Sequence, residues 1–270
     1  MAKIVFSHGN SFPAGTYNVL FAHLRQRGFE VTAVDRFGHD TQYPVTSNGP
    51  HLVQQLADFA AQQVQASGER VFLVGHSLGG ILSVMAAAQH PDLARGVLML
   101  DSPLISGWRA TTVGVAKRTQ VVSAVSPGRV SRQRRMSWAS TDEALEHFLK
   151  KEVFTRWDPQ VLHDYVTHGL HDKDGRRVLG FDRAVETAIY NTLPHNLDRL
   201  LRRHPLRCPT AFIGGLDSVE MRQVGMALTR RITGGRIMML DGSHLFPMEQ
   251  PLATAAAIEA ALLNLSSIAP

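Results

Sequence analysis

Cysteine is nearly missing from this chain: Cys208 is the only one among 270 residues. That excludes an intramolecular disulfide framework and fits a reducing compartment, so a cytoplasmic location is expected. Long apolar runs are missing as well. No window carries the roughly 18 consecutive apolar residues that a membrane span needs. The opening "MAKIVFSHGN" has an apolar run that stops at His8, short of the apolar core of a secretory signal. A soluble protein without stable membrane insertion is expected. Repeats and low-complexity tracts are absent too, so the chain reads as one large domain or a domain with an insertion.

Charge is sparse, at 19% of residues, and unevenly placed. Residues 102–140 contain no Asp or Glu but hold Arg109, Lys117, Arg118, Arg129, Arg132, Arg134 and Arg135. With a net charge of +5 this would permit contact with nucleic acid or an anionic surface. No recognisable nucleic-acid module accompanies it, so no nucleic-acid partner is expected. An anionic substrate group against Arg129, Arg132, Arg134 and Arg135 is one reading, and a solvated helix face is the plainer one. The piece 111–135 is the expected mobile part.

What is present is a rhythm of short β-rich runs separated by helical patterns. The runs are "KIVFS" at 3–7, "EVTAV" at 30–34, "RVFLV" at 70–74, "GVLML" at 96–100, "TAFIG" at 210–214 and "RIMML" at 236–240. Continuous apolar runs of this length suit strands buried on both faces, joined by helical crossovers at 15–27, 51–66, 78–90, 221–232 and 252–265. An α/β fold with a mostly parallel sheet of about six strands follows. Between Asp101 and Pro209 the rhythm stops, and helical stretches around 141–151, 158–168 and 182–190 take over. The chain is therefore divided into a core, 1–101 and 209–270, and an inserted helical cap, 102–208.

The stretch "VFLVGHSLGG" carries the chemistry. Gly75-x-Ser77-x-Gly79 fits a nucleophile elbow, a strained strand-to-helix turn that lifts a serine hydroxyl above the sheet edge. The bare pattern is weak, but here it follows an apolar strand and opens a helix, as the mechanism requires. A serine hydroxyl needs a base to take its proton and an acid to orient that base. His244, in "DGSHLFPMEQP" just beyond the last strand, is the candidate base. His8 and His76 border functional turns and are assigned to packing and hydrogen bonding. For the acid, Asp217 past "TAFIGG" is preferred, and Asp101 after "GVLML" is the second strand-end carboxylate.

The order Ser77, Asp217, His244 resembles that of the α/β-hydrolases. "SHGNSFPAGTY" is similar to their oxyanion loop, "VDRFGHD" to their D-x-x-G-H-G turn, "GHSLGG" to the elbow and "DGSHLFPMEQP" to the histidine segment. The resemblance implies an α/β-hydrolase fold lacking the two usual leading strands, since the first strand here matches the family's third. It also implies a serine hydrolase that cleaves carboxylic esters through an acyl-enzyme, with no metal or organic cofactor. Oxyanion donors would be the backbone N–H of Leu78, after the nucleophile, and that of Asn10, with Ser11 or Phe12 as alternatives for the second. In the cap, Trp157, Leu162, Tyr165 and Val166 share a helical face. Packing is the first reading, and Trp157 and Tyr165 are candidate contacts for an apolar acyl group. Acyl transfer, C–C bond hydrolysis, perhydrolysis and a non-catalytic ligand receptor keep the same residues and stay open. Epoxide hydrolases and dehalogenases resemble the fold but place an aspartate at the elbow, against Ser77.

Overall fold

A computed structural model describes residues 1–104 and 134–268. Its strands are β1 (Lys3–Ser7), β2 (Glu30–Ala33), β3 (Val71–His76), β4 (Ala94–Leu100), β5 (Ser137–Trp138), β6 (Leu170–Lys173), β7 (Arg176–Leu179), β8 (Thr210–Gly215) and β9 (Ile237–Leu240). Six of them form one sheet in the order β2-β1-β3-β4-β8-β9. Every pairing in it is parallel.

Alternation along each strand sends side chains to two separate cores. Ile4, Phe6, Phe72, Val74, Leu98 and Leu100 meet Leu20 and Leu24 of α1 (Asn18–Gln26) and Ile258 and Leu262 of the C-terminal helix Pro251–Ser266. Val5, Leu73, Val97 and Met99 meet Leu52, Val53 and Leu56 of α2 (Pro50–Ser67) and Leu82 and Met85 of α3 (Leu78–Gln89). The central strands β1, β3, β4 and β8, covered on both faces, need apolar side chains at nearly every position, which is why they read as runs and not as alternations. The edge strands β2 and β9, also expected to be buried on both faces, are partly exposed. The fold is thus the α/β-hydrolase fold expected from sequence.

Register brings the chemistry to one edge. Ser7 pairs with Gly75, His76 with Leu100 and Gly215 with Leu240. The residues that follow these strands, His8, Ser77, Asp101 and the loop holding His244, therefore leave the sheet together at its carboxyl edge, where open parallel sheets place ligands.

Two differences from the sequence reading have local causes. The helix expected at 221–232 is two helices, Val219–Val224 and Ala227–Thr233, separated at Gly225, whose φ of 81° ends the first. Within 134–208 the helices α4 (Thr141–Leu149), α5 (Pro159–Gly169) and α6 (Arg183–Thr192) lie where expected, joined by α7 (Leu197–Arg203). A three-stranded antiparallel sheet, β5-β7-β6, was not anticipated. Its hairpin turns on Asp174-Gly175, both at positive φ, a dipeptide that signals a tight β-turn. The basic residues Arg109, Lys117, Arg118, Arg129 and Arg132, and the piece expected to be mobile up to residue 133, lie outside the described residues. Among the described residues no helix is long and apolar enough to cross a membrane.

Candidate active site

Ser77 sits between β3 and α3 with φ 54° and ψ −118°, a left-handed backbone that a side-chain-bearing residue rarely adopts. The turn tolerates this only because its flanks are glycine. A Cβ on Gly75 would lie 2.2 Å from the Gly79 carbonyl carbon, and one on Gly79 would lie 1.9 Å from the Ser7 carbonyl oxygen. A Cβ on Gly80 would lie 2.0 Å from Ser102 Oγ. The glycines let α3 press its N-terminus against the ends of β1 and β3, and Ser77 is lifted out of the sheet.

Above it lies the ring of His244. Its Nε2 is 3.0 Å from Ser77 Oγ, and its Nδ1 is 2.7 Å from Asp101 Oδ1. A carboxylate can only accept, so Nδ1 carries the proton and Nε2 presents a lone pair to the serine hydroxyl. Asp101 is wholly buried at the end of β4, with φ 41°. Its Oδ2 accepts from the Gly215 N–H at 2.7 Å and its Oδ1 from the Ser218 hydroxyl at 2.6 Å. Burial works against the Asp101 charge, but the hydrogen bonds from His244, Ser218 and Gly215 win and hold its carboxyl below the usual range.

Asp217, preferred from the sequence, does not reach His244, and Asp101 stands beside the ring instead. Asp217 is exposed, and its carboxylate pairs with the Arg156 guanidinium at 3.3 Å. Both aspartates end strands. Asp101, however, leaves β4, the neighbour of the strand that carries Ser77, whereas Asp217 lies beyond β8, with its N–H bonded to the Gly242 carbonyl and its side chain turned outward. Ser218 was also missed. It caps the helix Val219–Val224 by accepting from Met221 N–H while donating to Asp101.

The loop after β1 runs beside the elbow. Its Gly9 N–H donates to the Tyr17 hydroxyl at 3.0 Å, and its Phe12 N–H donates to the Gly9 carbonyl at 3.2 Å. Phe12 is thereby removed as an oxyanion donor, and among the described residues the amides of Asn10 and Ser11 remain. Leu78 is the first residue of α3, where an N–H has no acceptor within its helix. His8 is buried and neutral: Nδ1 donates to the Gly9 carbonyl, Nε2 accepts from Phe37 N–H, and burial pushes its pKa down to about 4.

The inserted segment closes over this loop. Asn10 Nδ2 donates to the Glu186 carbonyl, and the Ser11 hydroxyl donates to the Glu186 carboxylate, which also binds Arg134 at 3.2 Å. Arg135 pairs with Glu143. The two described arginines of the basic stretch are thus already matched by carboxylates. Trp157 and Tyr165 are buried with Phe148 and Phe154 in an aromatic cluster, which Phe12 of the loop joins at ring distances of 5.5 and 6.0 Å. Arg156 ties the segment to the core through Asp217 and the buried Glu249, whose carboxylate holds the N–H and hydroxyl of Ser243, beside His244.

Comparison with known proteins agrees with this architecture. A candidate non-heme haloperoxidase of Mycobacterium phage D29 is 26% identical over 98% of this chain and 88% of its own length. The monoglyceride lipase of Rattus norvegicus is 34% identical over 108 residues, which span 38% of this chain and 35% of the lipase. The crystal structure of E-2-(acetamidomethylene)succinate hydrolase superposes with a TM-score of 0.70 at 23% identity, covering 97% of this chain and 91% of that one. The sequence model of the alpha/beta hydrolase family matches residues 4–257, and the chain belongs to that family.

Proposed function

We propose that the protein is a serine hydrolase that cleaves carboxylic esters, with Ser77 as nucleophile, His244 as base and Asp101 as the acid that orients it. The observation that carries this reading is the position of one imidazole, 3.0 Å from a strained serine hydroxyl on one side and 2.7 Å from a buried carboxylate on the other. In this reading His244 Nε2 takes the Ser77 proton as Oγ attacks the ester carbonyl carbon, and Asp101 stabilises the imidazolium that forms. The oxyanion accepts from Leu78 N–H and from Asn10 N–H. His244 then protonates the leaving alcohol, and a water molecule activated by the same ring releases the acid.

The acyl part would lie against Phe12 and the aromatic cluster behind it, with 134–208 acting as the cap. Trp157 and Tyr165 shape that wall from behind Phe12. Lipase and esterase relatives support hydrolysis of an ester. The phage relative's name favours a second acyl acceptor, hydrogen peroxide in place of water, at the same residues.

The test is hydrolysis of p-nitrophenyl esters from acetate to palmitate by the wild type and Ser77→Ala. Turnover that is lost in Ser77→Ala, with stoichiometric fluorophosphonate labelling of Ser77 in the wild type, supports the reading. Equal turnover by Ser77→Ala removes it.

A further inference from the structure

His76 and Tyr17 are buried polar residues that the proposed chemistry does not use. His76 is inaccessible to solvent, as the last residue of β3, and Tyr17, immediately before α1, is 1% exposed. Their contacts form a single chain. The Gly9 N–H reaches the Tyr17 hydroxyl at 3.0 Å, that hydroxyl lies 2.7 Å from His76 Nδ1, and His76 Nε2 lies 2.9 Å from the main-chain carbonyl of His244.

The direction of the chain follows from chemistry. A carbonyl only accepts, so His76 Nε2 carries a proton. Burial, and then the neighbouring His244, lower the His76 pKa and keep the ring neutral, which leaves Nδ1 as an acceptor. Burial raises the Tyr17 pKa, so its hydroxyl is protonated and donates to Nδ1 while accepting from Gly9. Each donor meets one acceptor, with none spare and none missing. One end of the chain is the loop whose next amide belongs to Asn10; the other is the residue that holds the base. A Cβ on Gly9 would lie 2.9 Å from His76 Nδ1 and 3.3 Å from the Tyr17 hydroxyl, so the loop approaches only because residue 9 is glycine.

We propose that Tyr17 and His76 are positioning residues that hold the Gly9–Asn10 loop and the His244 loop in mutual register through this hydrogen-bond chain. The proposal rests on the serine-hydrolase reading. Binding of the acyl part would rest on Phe12, which Trp157 and Tyr165 hold in place by packing and which is not itself part of the chain. Alignment of the amide with the developing oxyanion, and of Nε2 with Ser77, would need it. Loss of the chain therefore acts on kcat and not on KM.

The experiment compares the wild type, Tyr17→Phe, His76→Gln and the double variant in p-nitrophenyl ester kinetics and in the rate of fluorophosphonate labelling of Ser77. Tyr17→Phe keeps the ring and removes one oxygen. It is expected to lower kcat by about 10-fold or more, with KM within about twofold and a folded circular-dichroism spectrum at the assay temperature. Labelling should slow by the same factor. Because both residues belong to one chain, the double variant should lose no more than the worse single variant, where independent residues would multiply. Should His76→Gln fail to fold, Tyr17→Phe with its labelling rate still decides. Tyr17→Phe with wild-type kcat and labelling rate, or multiplicative losses, overturns the positioning role while leaving the hydrolase reading intact. A wild type that neither hydrolyses esters nor labels at Ser77 overturns both.

Discussion

Asp101 and His244 are 143 residues apart in the chain and 2.7 Å apart in space, and this contact reverses the order of preference that the sequence suggests between Asp217 and Asp101. Asp101→Asn would place an amide against Nδ1 and lose the charge that balances the imidazolium. A loss of about 10³- to 10⁴-fold in kcat is expected, by analogy with the same change in serine proteases. Asp217→Asn touches only an exposed ion pair to Arg156, of the kind worth about 1 kcal/mol or less, and should keep kcat within about threefold. Steady-state ester kinetics on the two variants decide it; the reverse pattern would reinstate Asp217.

The sheet, its crossovers and the elbow were legible because burial writes directly into sequence. Runs such as "VFLV" are apolar at every position, and Gly75, Gly79 and Gly80 stand where a Cβ would strike backbone or the Ser102 side chain. The approach of His244 to Ser77 was legible because His244 follows the last strand. The carboxylate beside His244 was not, since aspartates stand just past several strands, Asp101 and Asp217 among them, and only the sheet order shows that β4 and not β8 adjoins the strand that carries Ser77. The hairpin β6-β7 left one signal, Asp174-Gly175, inside a polar stretch with no alternating pattern to frame it. The chain from Tyr17 to His76 left none, because the residues it joins lie 59 apart and meet only through the parallel register of β1 and β3.

Arg134 gives a stability prediction. Its partner Glu186 is 1% exposed and holds the Ser11 hydroxyl as well. Removing the cation leaves a buried carboxylate with fewer partners, so Arg134→Met should destabilise the fold by about 3 kcal/mol. The double variant Arg134→Met/Glu186→Leu should recover most of that loss, because the charge to be solvated is gone. Urea unfolding of the two variants checks the loss and its recovery. Equal stability of Arg134→Met and the wild type would show that the pair carries no net weight.

Acid should unfold the protein through its buried histidines. The folded pKa of His8 is about 4, lowered by burial, against 6.5 when unfolded. Between these values the unfolded chain binds a proton that the native state refuses. Stability from His8 is therefore full above about pH 6.5 and falls as pH drops toward 4, by up to about 1.4 kcal/mol per pH unit. His76, also lowered by burial, acts in the same direction. Asp101 stays out of this window, because its contribution is present above its unfolded pKa and fades only as pH falls below it. The urea midpoint should fall steadily from pH 6.5 to 4.5, and His8→Gln should flatten the slope by about one proton. An unchanged slope in that variant would place the acid sensitivity elsewhere.

A methyl on Gly79 would come within 1.9 Å of the Ser7 carbonyl oxygen and 2.8 Å of that of His8, and both are backbone atoms with no rotamer to yield. To relieve the overlap, α3 must back away from β1, which carries the Leu78 amide away from the Asn10 loop and Ser77 away from His244. Gly79→Ala should therefore cost about 100-fold or more in kcat as well as stability, since shifts of about 1 Å are enough at a reacting centre. Gly28→Ala is the matched control. Its φ of 85° imposes a backbone penalty of about 1 kcal/mol, but a Cβ there meets nothing within 4 Å, so activity should stay within about twofold. Ester kinetics and thermal melts of the pair separate the two effects. If Gly79→Ala loses only as much as Gly28→Ala, the close approach of α3 to the end of β1 is not what holds the elbow together.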